Sequence, residues 1–555
     1  MSRQGIVFLL SFQLVLFALP AAARREKLAL RADSLELPGA PASVVAADVN
    51  GDGLRDLAVV IAFTRWGEVG IEESIKMDDV EGLVEVLTVI PSLVDRRELR
   101  VFLGRPGGGF DPASRSVAIE PSVLSLEAGP PGAPVVALTD EGLSALHLRD
   151  GNLSFEPLIQ ERPVLAGTGT FLPNLGLVKD LDGDGRMDVL LPTAEGASVY
   201  LSGPEGLRPE PASRLRFPLD GLQGRSRRTL SRFHPLPEVR DVDGDKLPDL
   251  VLRHASGAWD GFRVLRNRGG GRFAEAVAPL GEHQEDRPDQ TKTPIVTWFG
   301  DLDGDGRAEY VTQEERGPGE DAGMRKEMQH AKRPKFLFRV HRSRPDLGME
   351  PKPFQQFEAE GYAFDTGGEG GDGDEVSIGM TMPGGFQDLN GDGRMDLIAL
   401  TLDFSMLQAV KVLTVQRIGI GIDFHVLCQG PGAKLTPVKG LDLSGKFNFN
   451  LNNLKIGQIS QFAGDFDGDG RADFTQMGRG KSVTIHRGRA DCSYPAQPDL
   501  ALELREAPRD LALVQVRDLD GDELTDLLVI QPQVIKEANV TPPVRLALYL
   551  SRGES

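Results

Sequence analysis

Asp180-Leu181-Asp182-Gly183-Asp184-Gly185-Arg186-Met187-Asp188 is the stretch that decides how this chain is read. Carboxylates stand at its positions 1, 3, 5 and 9, and glycines at positions 4 and 6. Acidic side chains on alternate residues converge on a hard cation, and glycine allows the sharp turn that brings them together. The candidate ligands are the side chains of Asp180, Asp182, Asp184 and Asp188 and the main-chain carbonyl of Arg186. Six more stretches repeat the pattern, with the carbonyl donor fourth in each set. They are Asp48, Asn50, Asp52, Leu54 and Asp56, then Asp241, Asp243, Asp245, Leu247 and Asp249, then Asp301, Asp303, Asp305, Arg307 and Glu309. Further on come Asp388, Asn390, Asp392, Arg394 and Asp396, then Asp465, Asp467, Asp469, Arg471 and Asp473, and finally Asp518, Asp520, Asp522, Leu524 and Asp526.

A shell made only of oxygens, with three or four negative charges, suits Ca2+, because zinc and copper prefer His or Cys and Mg2+ demands stricter octahedral geometry. Up to seven calcium ions are therefore expected, one per loop. Asn50 and Asn390 each remove one charge and weaken their sites slightly, whereas Glu309 is longer than Asp and still reaches. Lys246 and Glu523 stand where the other loops have their second glycine, so those two loops are expected to depart most from the common geometry. None is an EF-hand, since position 12 is Val59, Leu191, Leu252, Thr312, Ala399, Gln476 or Val529 rather than the bidentate Glu.

The loops begin at 48, 180, 241, 301, 388, 465 and 518, a period near 60 residues with one interval close to double. That interval should hide a unit that lost its loop. Val135-Val136-Ala137-Leu138, then Asp140-Glu141-Gly142, then the apolar run 143–148 fit it, with a tight turn replacing the loop. Strand-like apolar runs follow most loops (57–62, 189–191, 250–252, 397–400, 527–530), and glycine hairpins such as Gly107-Gly108-Gly109-Phe110 follow the next strand. Units of this length with three or four short strands are propeller blades, which stack radially into a closed ring. The fold class is all-β, with eight blades favoured and seven possible; a β-sandwich array is the structural alternative. Residues 27–37 alternate apolar and polar, and are predicted to add the closing strand to the last unit.

These loops, set between strands and paired with hairpins such as Leu103-Gly104-Arg105-Pro106-Gly107-Gly108-Gly109-Phe110, resemble FG-GAP/VCBS repeats. The resemblance covers nearly all of the chain after its first residues. It implies the β-propeller of integrin α-subunit N-terminal regions and of exported bacterial proteins, with one calcium per intact loop. Integrin propellers have seven blades, one fewer than the units found here. No Asp-x-Ser-x-Ser motif occurs, so integrin-style ligand capture is not implied.

A formal net charge of −20 argues against a nucleic-acid partner, and seven divalent ions would offset most of it. Arg3, the apolar run 6–19 and Ala21-Ala22-Ala23 read as a cleavable signal peptide over 1–23, too short for a membrane span. The remainder, 24–555, reads as one calcium-binding propeller with insertions near 65–97, 314–334, 364–375 and 403–461, the last with added strands at 410–415 and 418–426. A periplasmic or extracellular, monomeric protein is expected. Cys428 and Cys492, the two cysteines, are able to form one disulfide there or to remain two thiols.

No catalytic residue is assigned. There is no Gly-x-Ser-x-Gly elbow and no Walker or dinucleotide glycine loop, and the eight histidines are scattered. Trp66, Trp259 and Trp298 suit blade packing better than sugar stacking. The reading is a protein- or glycan-binding or scaffold module whose calcium ions rigidify the loops. The alternative is a polysaccharide-active enzyme, a lyase or hydrolase, on a propeller scaffold.

Overall fold

The computed structural model describes residues 28–64, 94–169, 171–172, 175–216, 220–223, 230–233, 237–252, 262–275, 295–317, 326, 329–330, 332–363, 385–403, 417–439, 443–450, 455–457, 460–477, 481–505, 514–532 and 543–552. Residues 1–23, read above as a signal peptide, the insertion 364–375, the candidate strand 410–415, Trp66 and Trp259 lie outside them.

Seven four-stranded sheets and one six-stranded sheet form eight blades, each an antiparallel meander. The first blade is Ala40–Ala47, Asp56–Thr64, Val94–Phe102 and Arg115–Ile119. The last blade takes Val514–Arg517, Asp526–Pro532 and Val544–Ser551 from the end of the chain, and its fourth strand is Leu30–Leu37. That strand pairs with Val544–Ser551 in an unbroken register from Leu30↔Ser551 to Leu37↔Val544. The ring is thus an eight-bladed β-propeller closed by the N-terminal strand.

The core explains why closure is needed. Buried apolar residues fall into eight clusters among the described residues, each shared by two successive blades. Both faces of every blade are covered only when the ring is complete. At the junction of the last blade with the first, Leu35 and Leu37 pack with Leu57, Val59, Leu546 and Leu548.

Two sequence readings need correction. The loopless second blade exists, as Val123–Glu127, Val136–Thr139, Gly142–Arg149 and Asn152–Ile159. However, the Asp140-Glu141 turn joins its second and third strands, whereas every acidic loop joins a first strand to a second. The true counterpart of the loop is 128–135, rich in proline and glycine; the alternation of strands alone could not tell the two ends of a blade apart. Likewise 418–426 is not an added strand. It belongs to Arg417–Gly430, the third strand of the sixth blade, long enough to pair with Lys434–Pro437 at one end and Ser444–Asn450 at the other.

Because strands alternate in direction, the acidic loops and the hairpins between third and fourth strands emerge on one face of the ring. Connections between second and third strands emerge on the opposite face.

Candidate metal-binding loops and their ring of contacts

The loop 180–188 is folded by its own carboxylates. Asp180 Oδ1 accepts the N–H groups of Gly183 (2.8 Å) and Asp184 (3.1 Å), and its Oδ2 accepts that of Gly185 (2.9 Å). Asp184 Oδ1 accepts the Arg186 N–H (2.9 Å). Asp188 faces both ways: Oδ2 accepts from Leu181 N–H and Oδ1 from Ser202 N–H, each at 2.8 Å. The ninth residue therefore closes the loop and clamps it to the end of the third strand.

The other loops follow the same plan. Asp48, Asp241, Asp301, Asp388, Asp465 and Asp518 each accept N–H groups of the turn that follows them. Leu54, Leu247, Arg307, Arg394, Arg471 and Leu524 donate their N–H to Asp52, Asp245, Asp305, Asp392, Asp469 and Asp522 respectively. Asp56, Asp249, Asp396, Asp473 and Asp526 clamp to Gly104, Asn267, Gln429, Gly488 and Ser551. Glu309 departs from this plan. Its Oε2 accepts the Leu302 N–H at 3.0 Å, but Oε1 takes the guanidinium of Arg342 at 3.2 Å.

Carboxylate oxygens of positions 1, 3 and 9 gather within 4.8 Å of one another in the sets Asp180/Asp182/Asp188, Asp241/Asp243/Asp249, Asp301/Asp303/Glu309 and Asp465/Asp467/Asp473. Position 5 is also engaged elsewhere: Asp184, Asp392 and Asp469 pair with Arg186, Arg394 and Arg471 in their own loops. At position 3, Asn50 and Asn390 accept the N–H of Asp52 and Asp392 through Oδ1.

The third position tests whether a cation fits. Asp182 Oδ1, Asp303 Oδ1, Asp467 Oδ1 and Asp520 Oδ1 are buried without a hydrogen-bond partner. A buried carboxylate oxygen left unpaired is costly, and the same position recurs in four loops. Each is an oxygen that a hard cation held with the first and ninth residues would satisfy. Burial, then the neighbouring carboxylates, pushes the ninth residue up: Asp188, Asp249 and Asp396 to about 6, Asp473 to about 7, Glu309 and Asp526 to about 8. A cation at the loop would relieve that crowding.

Lys246 and Glu523 do not distort their loops. They take left-handed backbone angles, φ 69° and 67°, as the glycines of the other loops do, and their N–H groups still reach Asp241 and Asp518. A non-glycine residue pays for that conformation in strain. Lys246→Gly and Glu523→Gly are each expected to stabilise the protein by about 0.5–1 kcal/mol in denaturant unfolding; a loss would show that these side chains make compensating contacts.

Successive loops touch. The second residue of each is a buried apolar anchor: Val49, Leu181, Val242, Leu302, Leu389, Phe466 or Leu519. The Val242, Leu302 and Leu389 carbonyls accept the N–H of Ala308, Met395 and Ala472 in the following loop, each at 3.0 Å. The seventh loop reaches round to the first, where Arg55 donates to the Asp518 carbonyl and pairs with its carboxylate, both at 3.1 Å. The arc breaks at the second blade. There Glu127, buried at the end of the first strand, accepts the N–H groups of Leu175 (2.6 Å) and Leu177 (2.7 Å), tying this blade to the approach of loop 180–188.

The side chains of Asn267 and Gln429 carry no signal in the sequence. Asn267 Nδ2 donates to the carbonyls of Leu181 (2.7 Å) and Pro248 (2.9 Å), and Gln429 Nε2 to those of Leu302 (3.0 Å) and Met395 (2.9 Å), so each amide joins two neighbouring loops. Cys428 and Cys492 are bonded, linking the third strand of the sixth blade to the segment after the third strand of the seventh. Trp298 is buried against Phe386. His341 and His486 engage the carbonyls of Glu350 and Pro495, and His425 the Thr401 hydroxyl.

The family described as FG-GAP-like repeat matches residues 241–312, the third acidic loop through the start of the fifth blade's second strand. The same loop and hairpin recur around the ring, so the chain is an eight-bladed β-propeller that carries an FG-GAP-like repeat at 241–312. No curated protein matches its sequence. Among solved structures it is similar to Zg3597, a family 117 glycoside hydrolase of the marine bacterium Zobellia galactanivorans, at 10% identity over 53% of this chain and 72% of that one, with a TM-score of 0.18. No helix among the described residues is long and apolar enough to cross a membrane.

Proposed function

We propose that this chain is an exported, calcium-loaded propeller that serves as a binding or scaffold module for a protein or glycan. The observation that carries the calcium reading is the buried, unpartnered Oδ1 of Asp182, Asp303, Asp467 and Asp520, aligned at one position of a repeated all-oxygen loop. Asp180, Asp182 and Asp188, with the Arg186 carbonyl, would hold the ion in loop 180–188, and the matching residues in the other six. A bound ion neutralises clustered carboxylates and so favours the folded loop. Extracellular calcium modules bind at about 10⁻⁴–10⁻³ M, which agrees with export, as do the leader-like residues 1–23 and the Cys428–Cys492 bond.

The ion loops have a structural part in this reading, and a partner meets the opposite face. The ends of the second and third strands lie there, and in the first blade the chain leaves that face after Thr64 and returns to it at Val94. Chelation should lower the melting temperature by several degrees, and restored Ca2+ should recover it. Equilibrium dialysis that found no bound calcium, together with an unmoved melting temperature, would dispose of the calcium reading. Incubation with a panel of polysaccharides tests the module reading, which calcium-dependent release of new reducing or unsaturated ends would overturn.

A further inference from the structure

The seven loops differ in what stands across the ladder from their ninth residue. In the fifth blade the register pairs Glu309 with Arg342. One step beyond Leu250↔Leu265 and Phe474↔His486, Asp249 and Asp473 face Arg266 and Arg487. In the remaining four blades the same step places Leu103, Leu201, Cys428 and Leu550 there.

Each of the three arginines reaches the outer oxygen of the third loop residue. The separations are 3.4 Å for Arg266 to Asp243 Oδ2, 3.0 Å for Arg342 to Asp303 Oδ2 and 2.8 Å for Arg487 to Asp467 Oδ2. Arg342 goes further than the others. Its Nη1 also lies 3.1 Å from Asp305 Oδ2 and 3.2 Å from Glu309 Oε1, so one guanidinium spans positions 3, 5 and 9. Its position is fixed from the other side by Phe354, whose ring centroid lies 4.5 Å from the guanidinium carbon. The extra methylene of Glu309 makes the third contact: Oε1 turns to Arg342, where the shorter aspartates accept a main-chain N–H of the third strand.

We propose that Arg342 is a built-in counter-cation that holds loop 301–309 closed without an ion and makes it the weakest calcium site of the seven. Arg266 and Arg487 do the same to a lesser degree in loops 241–249 and 465–473. The inference rests on the calcium reading of the loops. A guanidinium among the ligands offsets one of their charges and repels a divalent ion, while a planar fork on several carboxylates keeps the loop ordered when the ion is absent. The loops facing Leu103, Leu201, Cys428 and Leu550 have no such substitute at that position.

The test compares wild type with Arg342→Met, which keeps an unbranched apolar stem and removes the charge, and with Arg342→Lys, which keeps a charge without the fork. Calorimetric titration with Ca2+ should show the weakest site of wild type tightening by roughly tenfold in Arg342→Met and less in Arg342→Lys. In chelator the Met variant should melt several degrees below wild type, and saturating calcium should close most of that gap. Should Arg342→Met not fold in chelator, folding restored by calcium supports the proposal, and the Lys variant supplies the affinity comparison. Unchanged affinities and an unchanged melting temperature in chelator, in a wild type that does bind calcium, would overturn the proposal and leave the calcium reading standing. A wild type that binds no calcium would overturn that reading instead, and with it the claim about the weakest site.

Discussion

Deleting residues 28–38 is expected to abolish the cooperative fold, although these residues lie more than 500 positions in sequence from the strand they pair with. The strand Leu30–Leu37 brings eight residue pairs of ladder to Val544–Ser551. Its inward residues Leu35 and Leu37 are 1% and 2% exposed and pack against both the first and the last blade. Removing it uncovers Leu546 and Leu548 and opens one of the eight junctions on which a ring depends. Leu→Ala changes in such a core cost about 2–5 kcal/mol each, so Leu35→Ala/Leu37→Ala alone should lose about 4–10 kcal/mol of a margin that is typically about 5–15 kcal/mol. A circular permutant provides the control. Joining 551 to 30 by a short glycine turn, with new termini in the Asp150-Gly151 turn of the loopless blade, keeps every pairing and should unfold within about 1 kcal/mol of the parent. A deletion variant that kept its melting temperature would refute the closure mechanism.

That closing strand is legible because alternation over 27–37 survives without any knowledge of its partner. The seven loops were legible for a related reason: all the residues of one loop lie within nine positions, and glycine and aspartate are placed there by backbone geometry that does not depend on the rest of the fold. What escaped the sequence depends on register. Arg342 stands 33 residues beyond Glu309 and Arg266 17 beyond Asp249, because connections of different length intervene, so no fixed spacing marks the arginines that reach the loops. The same holds for Asn267 and Gln429, whose amides join neighbouring loops from the ends of third strands. Alternation also does not orient a blade, so the Asp140-Glu141 turn reads as the lost loop although 128–135 occupies that place. The Cys428–Cys492 bond needed the adjacency of the sixth and seventh blades, which a separation of 64 residues does not reveal.

Two glycines of one loop, Gly391 and Gly393, should respond to alanine very differently, and the difference measures how strongly neighbouring loops are coupled. Both lie in the left-handed region, at φ 71° and 79°, so each pays about 1–2 kcal/mol for a Cβ. A Cβ on Gly393 meets nothing within 4 Å. On Gly391 it would stand 2.2 Å from the Gly470 carbonyl oxygen in the next loop, a main-chain atom that cannot step aside without moving loop 465–473. Gly304 stands in the same relation to the Gly393 carbonyl oxygen, 2.7 Å from its added Cβ, so the close approach belongs to the arc of loops. Gly393→Ala should therefore cost about 1 kcal/mol and Gly391→Ala about 3 kcal/mol or more. The discriminating readout is amide exchange in the neighbour. Gly468 and Gly470 N–H groups, bonded to Asp465 at 2.7 Å, should exchange faster in Gly391→Ala and at the wild-type rate in Gly393→Ala. Equal costs, with loop 465–473 undisturbed in both, would mean that each loop folds on its own. The contacts argue otherwise, since the fourth residue of one loop leaves room only for the main chain of the next, and a disturbance at one site has a direct steric route to its neighbour.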